Sequence, residues 1–233
     1  MGEKHLSSQF DLELNAVSSR IMELGGVVES QIDLAISALA SFSPGMADEV
    51  ILRETRVNQL EIDIDQELTN VIARRQPTAR DLRLLIAISK TTTNLERVGD
   101  EAVKIARMVK SISSSGAPKA LPATELKIAS NLADRLIRDA LDALARLDVE
   151  AAARILREDD LIDAEFGGFV RKLITYMMED PRTISASLDL LFIAKAIERI
   201  GDHAKNIAEF VIYIVKGADI RHASMEQVNA VLR

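Results

Sequence analysis

Two pairs of carboxylates, each with its members four positions apart, are the residues of this chain best suited to chemistry. Glu96 and Asp100 form the first pair, and Glu198 and Asp202 form the second. This spacing places both members of a pair on one face of an α-helix, where two like charges repel. Carboxylate oxygens are also ligands for hard cations, so each pair is a candidate metal site.

Each pair lies inside an eight-residue phrase that the chain uses twice. Residues 95–102 read LERVGDEA, and residues 197–204 read IERIGDHA. The apolar residues around both phrases follow alternating steps of four and three, which is the period of a helix buried along one face. The phrases therefore lie within two equivalent helices of an internal repeat.

A glycine stands between the carboxylates of each pair, at Gly99 and again at Gly201. Glycine inside a helix costs roughly 1 kcal/mol relative to alanine. Two explanations are open. The glycine admits a neighbouring helix closely, or it makes room for an ion held by the carboxylates.

The second helix of each half offers further oxygen ligands at the same spacing. Glu54 and Asn58 in the first half align with Asp159 and Asp163 in the second. If the helix faces meet, these residues join the carboxylate pairs in one oxygen-rich cluster per half. Three more residues, from the first helix of each half, could add to the second cluster: Glu29, Asp33 and Asp134.

Carboxylates gathered so densely need positive charge nearby, which either Arg97 and Arg199 or divalent ions would supply. Oxygen ligands with at most one imidazole favour Mg, Mn, Ca or oxidised iron over Zn or Cu. His203 is the candidate nitrogen ligand, although we expect it to be an ordinary surface residue, and no site is expected at His5 or His222 near the termini. The Glu-x-x-His signature of di-iron bundles is absent, which argues against a redox enzyme.

Composition indicates an all-α protein and excludes several functions. Aromatic residues make up 3% of the chain, Trp is absent, and 10 Gly and 5 Pro leave few breaks between elements. The absence of Cys excludes thiolate metal sites, disulfides and thiol nucleophiles. A net charge of −7 argues against nucleic-acid binding. No apolar run reaches the length of a membrane span and no signal-peptide core is present, so we expect a cytoplasmic protein.

Periodicity and breakers predict two tandem, pseudo-symmetric three-helix bundles with long antiparallel helices. A loop-like stretch at residues 111–122 predicts the boundary between a first bundle at 1–115 and a second at 122–217, with a polar tail at 218–233. Gly25 and Gly26 interrupt the first helix without changing its period, which predicts a close helix crossing. The first predicted helix follows Ser7 and Ser8 and stops at 43–45, and the second covers 47–76. The third is capped by Thr78 or Asp81 and ends near 111. The fourth covers 124–147, the fifth runs from a junction at 148–149 to 179, and the sixth follows a breaker at 180–181 and ends near 216.

Several motifs together closely resemble the PhoU family, whose members are accessory regulators of bacterial phosphate-specific transport. They are the two phrases and three further stretches, RQPTARDLR at 75–83, YMMED at 176–180 and KGADIRH at 216–222. The resemblance covers nearly the whole chain. It implies two PhoU-type three-helix bundles in a cytoplasmic protein that often dimerises.

The resemblance also implies multinuclear iron, zinc or manganese sites at the paired acidic motifs. The two carboxylate pairs match the strongest motif, Asp159 and Asp163 match its partner, and Glu54 with Asn58 departs from it by an amide. Lys104 and Arg107 stand where the second half has Asn206 and Glu209, which predicts a weaker or empty first site. No sequence argument makes a metal (Fe, Mn, Mg or Zn) necessary for the fold.

The function implied is that of a non-enzymatic adaptor. It would link the ATPase subunit of the Pst transporter to a sensor histidine kinase, reach the membrane only through its partners and keep the phosphate regulon repressed when phosphate is plentiful. Two alternatives are open: a carboxylate-bridged metalloenzyme acting on phosphate or oxygen, and a helical scaffold without metal.

Overall fold

The computed structural model describes residues 8–116 and 121–232, and within these ranges the chain consists of helices joined by short turns, without a β-strand. Six helices are long and one is short. They are α1 Ser8–Ser41, α2 Pro44–Arg75, α3 Ala79–Ser114, α4 Lys127–Arg146, α5 Val149–Glu179, α6 Ile184–Lys216 and α7 Met225–Leu232.

The ends of the helices follow from the residues that flank them. The side chain of Ser43 accepts a hydrogen bond from the backbone N–H of Met46, and Pro44 occupies the first position of α2. The stretch expected to be a stop therefore ends α1 but also begins α2. Asp148 caps α5 through the N–H of Ala151, at 2.9 Å. Gly217 ends α6 with a φ of 71°, as predicted for a glycine cap.

The predicted boundary region is more helical than its composition suggests. α3 continues to Ser114, and a 3-10 turn at Pro122–Leu126 leads into α4. Both changes extend regular structure into residues 111–122, where the serines bond to carbonyls one turn back, as Ser113 does to Val109 at 2.8 Å. Residues 117–120 of this stretch lie outside the described ranges.

The helices pack as two bundles that meet through equivalent elements. α1, α2 and α3 pack against one another, and so do α4, α5 and α6. Between the halves, α3 packs along α6 and α1 packs on α4, so each contact pairs an element with its own counterpart. This arrangement confirms the predicted fold class of two tandem three-helix bundles.

The predicted close crossing at Gly25 and Gly26 is confirmed for the first of these glycines. A Cβ added at Gly25 would lie 2.7 Å from Cδ2 of Leu141, whereas one added at Gly26 would have no neighbour within 4 Å. Leu141 belongs to α4, so Gly25 is the point where the first bundle admits the second.

The tail after α6 folds back on the bundle. Ile220 and Val228 are buried, and Nζ of Lys216 donates a hydrogen bond to the carbonyl of Leu232 at 3.1 Å. α7 is thus anchored by apolar contacts rather than being a purely polar extension. No helix in the described ranges combines the length and apolar character that crossing a bilayer requires.

Candidate functional site

An acidic cluster lies between α2 and α3 in the first half. Glu54 and Glu61 reach it from α2, and Glu96 and Asp100 reach it from α3. The carboxylates of the two helices act on one another electrostatically, since, after burial, the charges of Glu96 and Asp100 raise the pKa of Glu54 and of Glu61. The predicted meeting of the two helix faces is therefore present in this half.

Burial is the main cause of the raised pKa values in this acidic cluster, and repulsion between the carboxylates is a further cause. The pKa of Glu96 is raised by burial and then by the charge of Asp100. The pKa of Glu54 is raised chiefly by burial, against a hydrogen bond from Gln31 that lowers it. Each of these carboxylates would be stabilised in its ionised form by a cation.

Gly99 lets the side chains of two other helices reach this acidic cluster. A Cβ at this position would lie 3.1 Å from Oε2 of Glu54, 3.2 Å from Oε1 of Gln31 and 3.3 Å from Cγ1 of Val57. The glycine therefore admits side chains of α1 and α2, and its second explanation, room for an ion, stays a prediction. The space is filled by the oxygens of a carboxylate and an amide.

Gln31 on α1 contacts the acidic cluster through Glu54. It is fully buried, and its Nε2 donates hydrogen bonds to Oε2 of Glu54 at 2.9 Å and to the carbonyl of Val50 at 3.1 Å. Among the described residues, Oε1 of Gln31 and Oε1 of Glu54 are buried without a hydrogen-bond partner. Two unsatisfied oxygens facing a carboxylate cluster form a donor set that suits a hard cation.

The nearby cations neutralise this acidic cluster only in part. A guanidinium nitrogen of Arg97 lies 3.5 Å from Glu96, and another lies 3.7 Å from Asp100. Arg97 is 60% exposed, so water screens both contacts. Lys104, expected to compete for a metal's place, instead binds Glu101, whose carboxylate oxygen lies 2.7 Å away.

The equivalent residues of the second half are described less completely. Glu198 is half-buried, with Nζ of Lys195 2.6 Å from one carboxylate oxygen, whereas Asp202 and Asp163 are exposed. The side chain of Asp159 lies outside the described part of the structure. In the first half, Asn58, which aligns with Asp163, is also exposed.

No metal geometry is preformed in the part of the chain whose side chains are described. Among those residues, no group of three His, Asp or Glu side chains is placed to hold one ion. The acidic cluster of the first half contains carboxylate and amide oxygens that could bind a cation. Because none of its side chains is placed to share one ion, they would have to rotate toward each other to do so.

A second acidic group joins the halves at the contact between α1 and α4. Nε of Arg138 donates to Oε1 of Glu29 at 2.5 Å, and its Nη2 donates to Oδ2 of Asp134 at 3.0 Å. Burial raises the pKa of Asp134, the charge of Asp33 raises it further, and Arg138 lowers it. The three acids expected to extend the metal cluster thus surround an arginine at this contact.

The two phrases face each other across a cleft of about 730 Å³ between α3 and α6. At its floor, the buried carboxylate of Glu101 accepts hydrogen bonds from Lys104 at 2.7 Å and from Nη1 of Arg199 at 3.4 Å. Arg199, which with Arg97 was one of two possible sources of positive charge for the carboxylate clusters, thus binds an acid of the other half. This ion pair crosses the boundary between the bundles.

His203 is not the surface residue that the sequence suggested. Its ring is largely buried against α3, and its Nδ1 lies 2.9 Å from Oδ1 of Asn94, which also accepts from Asn206 at 3.1 Å. Burial lowers the pKa of His203, and the charge of Glu101 opposes that shift. The surface prediction failed because the apolar period shows which face contacts its own bundle, not which contacts the other bundle. His222, where no site was expected, lines the same cleft.

Sequence reasoning missed Gln31 and Glu61, although each left a signal. Gln31 is polar at a helical step from Val28 and Ala35 in the apolar stripe of α1, and it is buried. Glu61 lies two turns after Glu54, on the same face of α2.

Comparison with known proteins identifies the family of this chain. The family model described as the PhoU domain matches twice, over residues 21–109 and 126–211, and each match contains one copy of the phrase. The chain belongs to the PhoU family. Both PhoU domains include all three helices of their bundle.

Relatives and solved structures resemble the chain along most of its length. It is 52% identical over 229 residues to the phosphate-specific transport system accessory protein PhoU homolog of Burkholderia sp., covering 98% of this chain and 97% of that protein. It is 44% identical over 230 residues to the phosphate-specific transport system accessory protein PhoU of Escherichia coli K12, covering 98% and 94%.

Two crystal structures share the arrangement of both PhoU domains. The crystal structure of PhoU from Pseudomonas aeruginosa superposes with a TM-score of 0.87 at 42% identity, over 90% of this chain and 100% of that one. The phosphate transport system regulatory protein PhoU from Streptococcus pneumoniae gives a TM-score of 0.83 at 28% identity, over 90% and 98%.

Proposed function

We propose that this chain is a regulator of phosphate uptake and signalling. It acts as an adaptor between the ATPase subunit of the Pst phosphate transporter and the sensor histidine kinase of the phosphate regulon, on the cytoplasmic side of the membrane. The observation that carries the proposal is the likeness of both PhoU domains, over nearly the full chain, to accessory proteins of phosphate-specific transport.

The adaptor works by contact rather than by turnover. Its relatives are named as accessory or regulatory proteins, and its long helices offer wide faces to two partners at once. In this mechanism, a phosphate-loaded transporter favours the complex in which the kinase is held inhibitory, so phosphate shifts a population of complexes. A homodimer would present these faces twice.

A gene deletion tests the regulatory role. Removing the protein should raise alkaline phosphatase expression in phosphate-rich medium, because the kinase is no longer held inhibitory. Expression that stays repressed in the deletion strain would contradict the proposal.

The contacts themselves are tested by co-purification with the transporter's ATPase subunit and with the kinase, at high and low phosphate. We expect more of both partners at high phosphate. Equal recovery at the two concentrations would contradict a phosphate-dependent complex, whereas recovery of neither partner would contradict the adaptor role.

We further propose that the acidic cluster of the first PhoU domain binds a divalent or trivalent metal ion, with a second site at the matching motifs. Glu54, Glu96 and Asp100 would hold the ion through carboxylate oxygens, and Gln31 would offer its unsatisfied amide oxygen. The raised pKa values of Glu54 and Glu96 support this proposal, because a bound cation removes their mutual repulsion. Oxygen donors favour Mn, Mg or Fe.

Metal binding is measured by elemental analysis of protein purified without an affinity tag and by titration of metal-free protein with Mn²⁺. Glu96→Gln combined with Asp100→Asn should weaken Mn²⁺ binding at least tenfold. A matched control, Asp48→Asn at an exposed position of α2, should leave it unchanged. Equal affinity in both variants would contradict this assignment of the ligands.

A further inference from the structure

The second PhoU domain exposes a patch of large apolar side chains in the groove between α5 and α6. Ile174 and Met178 on α5 are 48% and 79% exposed. On α6, Ile184, Leu188 and Phe192 are 43%, 42% and 59% exposed. Within each helix these residues are four apart, so each set forms one stripe along its helix.

The register of the two helices places the stripes side by side. Nζ of Lys195 on α6 lies 5.5 Å from the ring centre of Phe166 on α5. The helices are antiparallel, so moving two turns toward the C-terminus of α5 from Phe166 means moving two turns toward the N-terminus of α6 from Lys195. At that level Ile174 lies beside Leu188. One turn further along, Met178 lies beside Ile184. The five residues therefore form one patch, called the apolar groove below.

The counterpart of the apolar groove in the first PhoU domain, between α2 and α3, is more polar, because Thr69 and Lys90 line it together with Ile72 and Ile86. The 102-residue offset between the phrases pairs Phe192 with Lys90. Lys90 is half-buried, and its Nζ lies 5.7 Å from the ring centre of Phe210. The alignment of α2 with α5 pairs Ile174 with Thr69 and Met178 with Ala73. Contiguous exposed apolar side chains mark surfaces that bind a partner.

The size of the apolar groove suits a single helix better than a whole subunit. If each aliphatic side chain is taken at about 150–200 Å², the lower part of the range for aromatic side chains, the exposed fractions correspond to an apolar area on the order of 500 Å². A stable subunit interface buries about 800 Å² on each partner. One amphipathic helix with anchors at i, i+4 and i+7 fills a groove of this size between two helices.

Charges around the apolar groove give the docked helix a direction. Arg171 on α5 is exposed at the end marked by Phe192, and the described residues provide no ion-pair partner for it, whereas Lys195 near that end is paired with Glu198. The opposite end, beside Met178, carries the exposed carboxylate of Glu179. An acidic end of the ligand helix therefore belongs beside Phe192.

We propose that the apolar groove is a docking site for an amphipathic helix of another protein, with acidic residues at the end that lies beside Phe192. The site goes beyond the proposed adaptor role, since its apolar anchors and charge would receive such a helix whichever protein supplies it.

Site-specific photo-crosslinking in living cells tests this docking site. The probe is p-benzoylphenylalanine introduced into the full chain at Phe192, a change close in shape to the native side chain. The matched control carries the same probe at Leu52, which is 74% exposed on α2 of the first domain. We expect a crosslink from position 192 to one amphipathic helix with an acidic end, mapped by mass spectrometry, and at least fivefold less from position 52.

A charge reversal separates the docked helix from other occupants. Arg171→Glu should lower the yield from position 192 at least threefold, whereas Arg80→Glu, at an exposed position of the first domain, should not. The proposal is overturned by crosslinks to a second copy of this chain, by crosslinks to lipid or by a yield no higher than that of the control. Unchanged circular dichroism of the Arg171 variant excludes misfolding as the cause of a lower yield.

Discussion

Adjacent glycines in α1 have different roles, and the difference is set by what lies across from each. Gly25 faces the side chain of Leu141 in the second bundle, while the space beside Gly26 is open. Both interrupt a helix at the same propensity cost, so any difference between their alanine variants reports packing alone.

Gly26→Ala should raise the free energy of unfolding by roughly 0.5–1 kcal/mol, because alanine restricts the unfolded chain and favours the helix. Gly25→Ala should show the same gain opposed by overpacking against Leu141 of about 1–3 kcal/mol. Urea unfolding of the two variants measures the difference. Equal midpoints would show that α4 moves away from α1 at little cost.

Glu54 links the electrostatics of the acidic cluster to stability. Its pKa is raised above the ordinary value of 4.5, so its contribution to stability is fully present below that value and is lost as the pH rises through the raised pKa. At neutral pH, metal-free protein therefore has an ionised carboxylate that the fold disfavours.

Glu54→Gln should raise the Tm of metal-free protein at pH 7 by about 2–4 °C, the change expected for ~1 kcal/mol in a chain of this size. At pH 4 the gain should vanish, because the wild-type carboxyl is then protonated. Glu165→Gln, at an exposed position of α5, is the control and should change the Tm at neither pH. A gain that persists at pH 4 would mean that charge is not its cause.

At the level of elements, α1 and α4 are joined by one arginine surrounded by acids. Arg138 bonds both to Glu29 on the other helix and to Asp134 on its own. Removing it would leave Asp134, which is 14% exposed, beside Glu29 without a cation. Breaking such a pair costs more than the pair itself contributes, since the remaining charge is buried and unpaired.

Arg138→Met should lower the free energy of unfolding at pH 7 by about 1–2 kcal/mol, a figure reduced because the guanidinium is partly exposed. The loss should shrink as the pH falls toward the raised pKa of Asp134, and Asp134→Asn in the same chain should restore most of it. Arg146→Met breaks an exposed pair with Asp142 in the same helix and should cost less than ~0.5 kcal/mol. Equal losses for the two variants would contradict the linking role of Arg138.

How far the sequence predicts this structure depends on the range of the interaction. The six long helices were predictable because their apolar period and their caps are local, as at Asp148 and Gly217. The meeting of Glu54 with Glu96 was predictable from the aligned repeats. The contacts of Arg199 with Glu101 and of Arg138 with Glu29 were not, because a helical period shows that a face is buried without showing which helix covers it.

Across the whole molecule, the contact between α3 and α6 contains a histidine whose pKa is lowered by burial. His203 is bound to Asn94 of the other PhoU domain, and its ring is faced by Glu101, Arg199, Arg97 and Lys104. Burial lowers its pKa, so the native state disfavours the imidazolium. The contribution of His203 to stability is therefore fully present above the ordinary value of 6.5 and is lost as the pH falls through the lowered pKa.

His203→Gln should make the contact between the two domains less sensitive to acid, because a glutamine amide can still donate to Asn94 but takes up no proton. The free energy of unfolding, measured by urea titration between pH 7 and pH 5, should fall further in the wild type than in the variant. The carboxylates that also titrate in this range are common to both proteins, so the difference between the two curves isolates His203. Since the imidazolium would form beside Arg199 and Lys104, the two α3–α6 surfaces would separate first, and amide exchange along α3 and α6 should rise at pH 5 in the wild type alone. Parallel stability curves would mean that the ring takes up its proton without disturbing this contact.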